Sequence, residues 1–215
     1  MNDLLAMASA AAPLAGGWSV HGLWMRRRLS AARRDPLSGL WTRDAFEERA
    51  RKTLAMPRSA VYLVDLDRFK EINDTHGHAA GDAVIRATGR RLADWAYLND
   101  AIVGRLGGDE FAAVAYHRSR AELEWALAGL SLALTHPVDI DGRPVAVGAS
   151  IGAVDIGPRA DTVDLSQVLR CADEQMYTAK RAGLPWQLTT DLTPQHETVN
   201  GRRAGRPGTG EREAA

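Results

Sequence analysis

The sequence has little cysteine and little lysine. It contains one cysteine, Cys171, and three lysines in 215 residues. A single cysteine excludes a disulfide framework within the chain and fits a reducing compartment. Because Cys171 falls within an apolar helical pattern, the sequence favours a buried small side chain there over a nucleophile.

The sequence also has no excess of charge of either sign. Its 27 Lys and Arg residues balance 27 Asp and Glu residues, so no overall basic field points to nucleic acid as a partner. Arginine supplies 24 of the 27 basic residues, since only Lys52, Lys70 and Lys180 are lysines. A lysine within a motif is therefore notable in this chain.

Charge is absent from residues 4–25, a length that can span a bilayer as a helix. Trp18 and Trp24 near the end of this segment suit the membrane interface. Arg26, Arg27 and Arg28 follow it and no arginine precedes it, which predicts that the rest of the chain lies in the cytoplasm. The sequence thus predicts a single-pass anchor in the inner or cell membrane. The alternative is a cytoplasmic protein in which this segment is an amphipathic or packing helix.

Composition divides the chain into three parts. Residues 1–34 comprise the N-terminal hydrophobic helix and a basic segment, and residues 35–190 carry the folded domain. Residues 191–215 are rich in Gly, Pro and Arg and lack an apolar period, which predicts a disordered tail.

Within the folded domain, helical and strand-like patterns alternate. The patterns predict helices at 43–54, 81–95, 121–134 and 165–182, strands at 60–66 and 149–156, and hairpins at 101–116 and 138–147. Asp141-Gly142 marks the turn of the second hairpin. Such an arrangement indicates a sheet covered by helices.

Gly107 and Gly108 lie between the two apolar runs of the first hairpin. Paired glycines predict a tight turn, because both residues adopt positive φ without steric cost. No side chain at these positions would block a ligand that approaches the turn. Asp109 and Glu110 follow at once, so the hairpin carries two carboxylates at its tip.

Asp65 ends the first buried strand, where a lone acid is costly unless a cation or a donor compensates it. If that strand lies beside the hairpin, Asp65 and Asp109 come together. Magnesium is bound by a few carboxylates together with substrate phosphates, so the pair would suit a metal. On spacing alone, acids that merely cap or solvate loops remain an alternative.

Residues 65–82 resemble the first signature of the GGDEF family, the diguanylate cyclases. That pattern is D-x-D-x-F-K-x-x-N-D-x-x-G-H-x-x-G-D, and every fixed position matches. Residues 35–40 are similar to the family's N-terminal motif, and residues 172–180 are similar to its closing helix. Together with residues 107–110, four motifs occur in the family's order, and the resemblance extends over residues 35–188.

The resemblance implies a fold of the α/β (α+β) class. This is a palm-like, mixed and mainly antiparallel sheet covered by helices, with a ferredoxin-like core, related to nucleotide cyclases and polymerases. It also implies a reaction that joins two GTP molecules into cyclic di-GMP and releases pyrophosphate. Because each 3′-hydroxyl attacks the α-phosphate of the other GTP, the resemblance further implies a homodimer.

Site roles are carried over position by position. The resemblance assigns the metal, Mg²⁺ or Mn²⁺, to Asp65, the Leu66 carbonyl and Asp109. Asp109 also has a part in activating the 3′-hydroxyl, and Glu110 supports the site. Asn73 and Asp82 match guanine-reading positions. The remaining substrate-binding positions, which face the phosphates, are Lys70, Lys180, Gly107 and Gly108.

Two further hypotheses about ligands concern residues within this signature. His76 and His78 could suggest zinc, but neither cysteine nor further spaced histidines support it. Asp67 could ligate the metal, although a structural hydrogen bond is the favoured alternative.

The chain departs from the family pattern at three places. Leu184 stands where an arginine usually contacts phosphate, and residues 98–101 lack the R-x-x-D of the product-inhibition site. Thr42 replaces a usual asparagine at a structural turn. The sequence therefore predicts reduced GTP affinity and no product inhibition through that site. The alternative function is a catalytically weak GTP-binding module that regulates a partner.

Overall fold

The computed structural model describes residues 33–158, 163–194, 198–199 and 202–203. The chain divides into two units between Arg34 and Asp35, and the helices and strands of the described residues lie in the second unit. In chain order they are β1 (Trp41–Thr42), α1 (Arg43–Leu54), β2 (Ser59–Asp67), α2 (Phe69–His76), α3 (His78–Asn99), β3 (Ile102–Gly107), β4 (Glu110–Tyr116), α4 (Arg120–Leu134), β5 (Val138–Ile140), β6 (Arg143–Val145), β7 (Gly148–Asp155), α5 (Leu165–Ala182), β8 (Trp186–Thr189), β9 (Thr198–Val199) and β10 (Arg202–Arg203).

Six strands form the main sheet, in the order β1-β3-β4-β2-β7-β8. β2 lies inside the sheet and pairs antiparallel with both β4 and β7. The edge strands β1 and β8 run parallel to their neighbours. The prediction of a mixed, mainly antiparallel sheet covered by helices is therefore confirmed.

Helices cover both faces of β2. Because side chains alternate along a strand, Tyr62 and Val64 pack with the apolar residues of α3 and α4 on one face. Val61 and Leu63 pack with those of α1 and α5 on the other. Every residue of β2 before Asp67 is buried, which explains the nearly continuous apolar sequence of this strand.

The strongly periodic segments fold as predicted. The helices predicted at 43–54 and 165–182 have the bounds of α1 and α5, and Cys171 is buried, as predicted. Asp141 and Gly142, at the predicted turn between β5 and β6, both have positive φ. The sequence does not predict α2, because this helix has only eight residues and buries only Ile72, which is too short a segment for a helical pattern to be recognised.

The predicted single-pass membrane location is corrected by the structure. No helix among the described residues is long and apolar enough to cross a bilayer; α3, with 22 residues, includes Asp82, Arg86 and Arg90. The predicted span at 4–25 lies outside the described residues, as does most of the predicted tail. The prediction rested on a charge-free length and on the tryptophans and arginines near its end, yet ten of its 22 residues are Ala, Gly or Pro, which weakens a spanning segment.

A buried hydrogen bond joins the Tyr62 hydroxyl and His117 Nε2. His117 is 3 % exposed, and the ring of Trp95 meets that of Tyr62 edge-on, with centroids 5.2 Å apart. Burial lowers the pKa of His117 and outweighs the opposite effect of Glu122 and Asp155. The imidazole is therefore neutral in the folded protein at neutral pH.

We expect the protein to lose stability as the pH falls below about 6.5, the ordinary pKa of histidine. In that range the unfolded chain binds a proton at residue 117 that the folded chain does not. The free energy of unfolding then falls by at most about 1.4 kcal/mol per pH unit on this account. Urea unfolding at about pH 7.5 and about pH 5.5 measures the effect. His117→Gln should reduce the difference between the two pH values, and an undiminished difference would contradict the assignment.

Candidate active site

The tip of the β3–β4 hairpin carries the two predicted carboxylates. Gly107 pairs with Glu110 after a register shift that follows Arg105, so the turn consists of Gly108 and Asp109. The predicted turn, at the two glycines, is therefore one residue too early. Both glycines have positive φ, 148° and 53°, and no heavy atom beyond their chain neighbours lies within 4 Å of a Cβ built there. The approach over the turn is open.

A guanidinium group holds this turn in place. Arg105 donates from Nε and Nη2 to the Gly108 carbonyl, over 2.9 and 2.7 Å, and from Nη1 to Asp35 Oδ1, over 3.0 Å. Asp35 also accepts from the amide and the hydroxyl of Ser38, each at 2.7 Å. Burial acts to raise the pKa of Asp35, but the hydrogen bonds from Ser38 and Arg105 outweigh it and the pKa is lowered. The segment that begins at Asp35 is thereby tied to the turn.

Asp65 lies beside the turn, near the end of β2. Its Cα partner is Glu110 in β4 and Ser150 in β7. The Leu66 amide donates to the Asp109 carbonyl over 3.3 Å. Asp65 and Glu110 are both buried, each 6 % exposed. The structure therefore brings Asp65, Asp109 and Glu110 together at one end of the paired interior strands β2 and β4.

The pKa of the Asp109 carboxyl is raised. Burial is the largest cause, the negative charge of Asp65 adds to it, and the positive charge of Lys180 acts in the opposite direction. The carboxylates of Asp65 and Asp109 are therefore close enough to repel each other. A divalent cation between them would relieve that repulsion.

Lys180 contacts the acids of β2 from the last turn of α5. Its Nζ donates to Asp65 Oδ1 and lies 3.9 Å from Asp67 Oδ1. Asp67 also accepts from the Ser150 hydroxyl, over 2.8 Å, which is the structural hydrogen bond proposed as the alternative to a metal role. The family resemblance assigns Lys180 to the phosphates. No pattern in the sequence predicts its contact with Asp65, which lies 115 residues away.

The predicted guanine-reading residues lie on two adjacent helices, Asn73 on α2 and Asp82 on α3. A Cβ built on Gly81 would lie 2.0 Å from Asn73 Oδ1, so the Asn73 amide rests against the backbone of α3. The Asp82 side chain is 50 % exposed and lies 3.5 Å from Arg86, which leaves its carboxylate accessible.

Lys70 is exposed on α2, and the structure does not bring it together with the acids.

Adding a methyl group at residue 81 tests the predicted guanine-binding role of Asn73, and is expected to weaken GTP binding without unfolding the domain. Because the new Cβ would fall 2.0 Å from Asn73 Oδ1, the amide must move away from its position in Gly81→Ala. Losing about one hydrogen bond lowers affinity about tenfold, which calorimetry with GTP measures. Thermal unfolding checks that the variant is folded. Unchanged GTP affinity would argue against a role for Asn73 in binding the base.

The donor set suits a hard divalent cation. Two carboxylates, Asp65 and Asp109, and the main-chain oxygen of Leu66 match the preference of Mg²⁺ or Mn²⁺, which takes its other oxygens from phosphates and water. The repulsion between the two carboxylates is the feature that such a cation would remove. No complete group of three acidic, histidine or cysteine ligands occurs within the described part of the chain. His76 and His78 are both exposed.

The structure shows where the three departures from the family pattern lie. Leu184 follows α5, is 45 % exposed, and its amide donates to the Ala179 carbonyl over 2.9 Å, so it helps to end the helix but supplies no cation. Leu98 is 81 % exposed where a guanidinium would be needed. Thr42 is the N-cap residue of α1.

Comparison with known sequences gives one family and several relatives. A family model described as diguanylate cyclase, GGDEF domain, matches residues 32–184. An uncharacterized 19.3 kDa protein in the repSA 5′ region of Streptomyces ambofaciens is 44 % identical over 165 residues, which are 76 % of this chain and 87 % of that protein. Diguanylate cyclase DgcN of Escherichia coli K12 is 37 % identical over 158 residues, which are 71 % of this chain and 38 % of DgcN. The chain therefore spans most of the first relative and well under half of the second.

Solved structures show the same fold. A sensory box/GGDEF family protein from Caulobacter crescentus CB15 has a TM-score of 0.60 and 35 % identity, and the match covers 70 % of this chain and 99 % of that one. The GGDEF domain of TpbB from Pseudomonas aeruginosa has a TM-score of 0.64 and 31 % identity, with 74 % and 95 % covered. The likeness extends over nearly all of both solved chains.

Proposed function

The chain belongs to the GGDEF family of diguanylate cyclases, and we propose on that ground that it condenses two GTP molecules into cyclic di-GMP. Each 3′-hydroxyl attacks the α-phosphate of the other GTP, so two phosphodiester bonds form and two pyrophosphates leave. The structural observation that supports the proposal most directly is that Asp65 and Asp109 lie close together beside the open turn at Gly108. Relatives named diguanylate cyclase support cyclic di-GMP synthesis as the general activity.

The acids would hold the metal and the reacting groups. Asp65, Asp109 and the Leu66 carbonyl supply oxygen ligands for Mg²⁺ or Mn²⁺, which when bound stabilises the negative charge on the attacking and leaving oxygens. Asp109, at the tip of the hairpin, takes part in activating the 3′-hydroxyl. Glu110 is buried beside Asp65 and supports the arrangement. The hydrogen bonds from Arg105 to the Gly108 carbonyl and to Asp35 keep the turn in position. A fixed turn favours phosphoryl transfer, because much of the acceleration of this reaction comes from orientation.

Asn73 and Asp82 would select guanine. Guanine presents N1–H and N2–H donors that suit the Asp82 carboxylate, while the Asn73 amide can both donate and accept. Adenine would place an acceptor nitrogen opposite the carboxylate, which costs binding energy. The support for this role is the contact between Asn73 and Gly81, which holds the amide one residue from Asp82.

The phosphates would lie over the turn. Gly107 and Gly108 leave room for a close approach to the backbone, and Lys70 and Lys180 would contribute positive charge. We further propose that two copies of the chain form the active homodimer, because one copy presents one turn and the reaction requires two nucleotides head to tail.

A second candidate function is a catalytically weak GTP-binding module that regulates a partner. Leu184 favours it, because this half-exposed side chain cannot supply the phosphate contact that the family's arginine makes. The acids at positions 65 and 109 favour the cyclase instead.

One assay separates the two functions. The full chain at high concentration, incubated with GTP and Mg²⁺, should form cyclic di-GMP and release one pyrophosphate for each GTP consumed, as measured by mass spectrometry and a pyrophosphate assay. ATP in place of GTP should give no cyclic product. GTP binding in calorimetry without any product would reject the cyclase and support the binding module.

A further inference from the structure

The ammonium group of Lys180 lies where the acids of β2 need positive charge. It is hydrogen-bonded to Asp65 Oδ1 and lies 3.9 Å from Asp67 Oδ1. The Asp65 side chain is 8 % exposed, whereas the Lys180 side chain is 45 % exposed. A buried carboxylate is thus neutralised by the end of a long side chain that has access to solvent.

This counter-ion meets an energetic need of the nucleotide-free protein. A carboxylate removed from water destabilises the fold unless a cation or hydrogen-bond donors compensate it. Asp65 also repels the neighbouring Asp109 carboxylate. Without the ammonium, two negative charges would face each other at the end of β2 and β4.

A divalent cation on the Asp65 carboxylate would repel the ammonium that already lies against it. A metal ion coordinates carboxylate oxygen at about 2.0–2.6 Å, and the Lys180 ammonium already occupies Asp65 Oδ1 at hydrogen-bond distance. Lysine carries a compact charge on a flexible four-carbon stem and makes single, point-like contacts. It can therefore leave one anion for another at little conformational cost.

Resting on the proposed function, we propose that Lys180 is an exchangeable counter-ion of Asp65. Its ammonium neutralises Asp65 before the substrate arrives, a divalent cation displaces it, and the released ammonium then binds the phosphates of the nucleotide. Metal binding and release of the phosphate-binding lysine are one event. Metal and nucleotide consequently bind with positive coupling through a single side chain.

A fixed structural ion pair would behave differently. Lys180 would remain at Asp65 when the metal binds, so the accessibility of its ammonium would not change, although removing its charge would still raise metal affinity. The two cases are separated by measurements on metal binding alone, without nucleotide.

The first experiment measures Mn²⁺ affinity in the absence of nucleotide, from the electron paramagnetic resonance signal of the free ion. Lys180→Met and Lys180→Gln are both expected to bind Mn²⁺ about tenfold more tightly than the natural chain, a typical coupling between two ligands. The matched control is Arg181→Met. It removes the same charge from the same helical turn, and the Arg181 guanidinium lies over the ring of Tyr177, 5.8 Å from its centroid. Unchanged or weaker affinity in the Lys180 variants, or an equal gain in the control, overturns the proposal.

The second experiment uses the unaltered chain, which is suited to it because it has only three lysines. Acylation by a soluble N-hydroxysuccinimide ester, followed by mass spectrometry, reports the accessibility of each ammonium group. Mn²⁺ should speed the labelling of Lys180 several-fold and leave that of Lys52, exposed on α1, unchanged. Labelling of Lys180 that is unchanged or slower overturns the proposal, whether or not the variants fold.

Failure of this inference is distinguishable from failure of the proposed function. If the chain forms cyclic di-GMP and Mn²⁺ does not release Lys180, only the exchange is rejected. If Mn²⁺ releases Lys180 and no cyclic di-GMP forms, only the proposed reaction is rejected.

Discussion

Replacing Asp109 by asparagine is expected to abolish cyclic di-GMP formation and to raise the melting temperature of the nucleotide-free protein. The catalytic loss follows from the proposed metal-binding and activating roles of the carboxylate, and should exceed about 100-fold in turnover, as for other groups that stabilise charge in a transition state. The gain in stability follows from the raised pKa of Asp109. Both effects would come from one nearly isosteric change.

The sign of the stability effect depends on pH. Because the pKa of Asp109 is raised by folding, the folded chain binds this proton more readily than the unfolded chain, whose aspartate titrates near about 3.9. The resulting stabilisation is present at low pH and is lost as the pH rises through the raised pKa. At neutral pH the ionised carboxylate therefore destabilises the folded protein, and asparagine removes that cost.

Calorimetric melting at about pH 7 and about pH 4 tests this. Asp109→Asn should melt at a higher temperature than the natural chain at the higher pH, with a smaller difference at the lower pH. Asp94→Asn is the matched control, since it removes the same charge from an exposed position on α3 and should change neither turnover nor melting. A lower melting temperature for Asp109→Asn at neutral pH would contradict the electrostatic argument.

The parts of the fold that could be predicted are those with a strong apolar period. α1 and α5 each bury a stripe of side chains, and the bounds of both helices follow from that stripe. β2 is apolar on both faces because helices cover both. α2, β1 and β8 bury little surface of their own, so their conformation depends on the neighbouring elements rather than on local sequence.

The candidate site likewise contains some features that the sequence predicts and some contacts that it does not. The motifs of the sequence place Asp65 and Asp109 at the ends of two strands, and the antiparallel register of β2 and β4 brings those ends together. The ion pair between Asp35 and Arg105 joins residues that are 70 positions apart in the sequence. The ion pair between Asp65 and Lys180 joins residues that are 115 positions apart. Such contacts depend on strand register and on how helices pack against the sheet, and no local pattern in a single sequence reports them.

The second large effect is expected at Gly152, where α5 packs directly against β7. A Cβ built on this residue would lie 1.9 Å from the Ala172 carbonyl oxygen and 2.3 Å from the Met176 amide nitrogen. Both atoms belong to the backbone of α5, so the clash cannot be relieved by turning one side chain. The helix as a whole must move away by about 1 Å, because real Cβ contacts are 3.0 Å or longer. Lys180 lies on the same helix and would move with it.

Gly152→Ala is therefore expected to lower the free energy of unfolding by about 1–3 kcal/mol, the usual cost of overpacking a core, as measured by urea unfolding. Turnover should fall as well, because the displaced helix alters the reach of Lys180 to Asp65. Gly129→Ala makes the same chemical change in the exposed middle of α4, where nothing lies within 4 Å of the new Cβ. There the better helix propensity of alanine should stabilise the protein by up to about 1 kcal/mol. Opposite signs for the two substitutions would locate the effect in the contact between α5 and β7, whereas a Gly152→Ala variant as stable as the natural chain, or more stable, would show that this contact does not set the position of the helix.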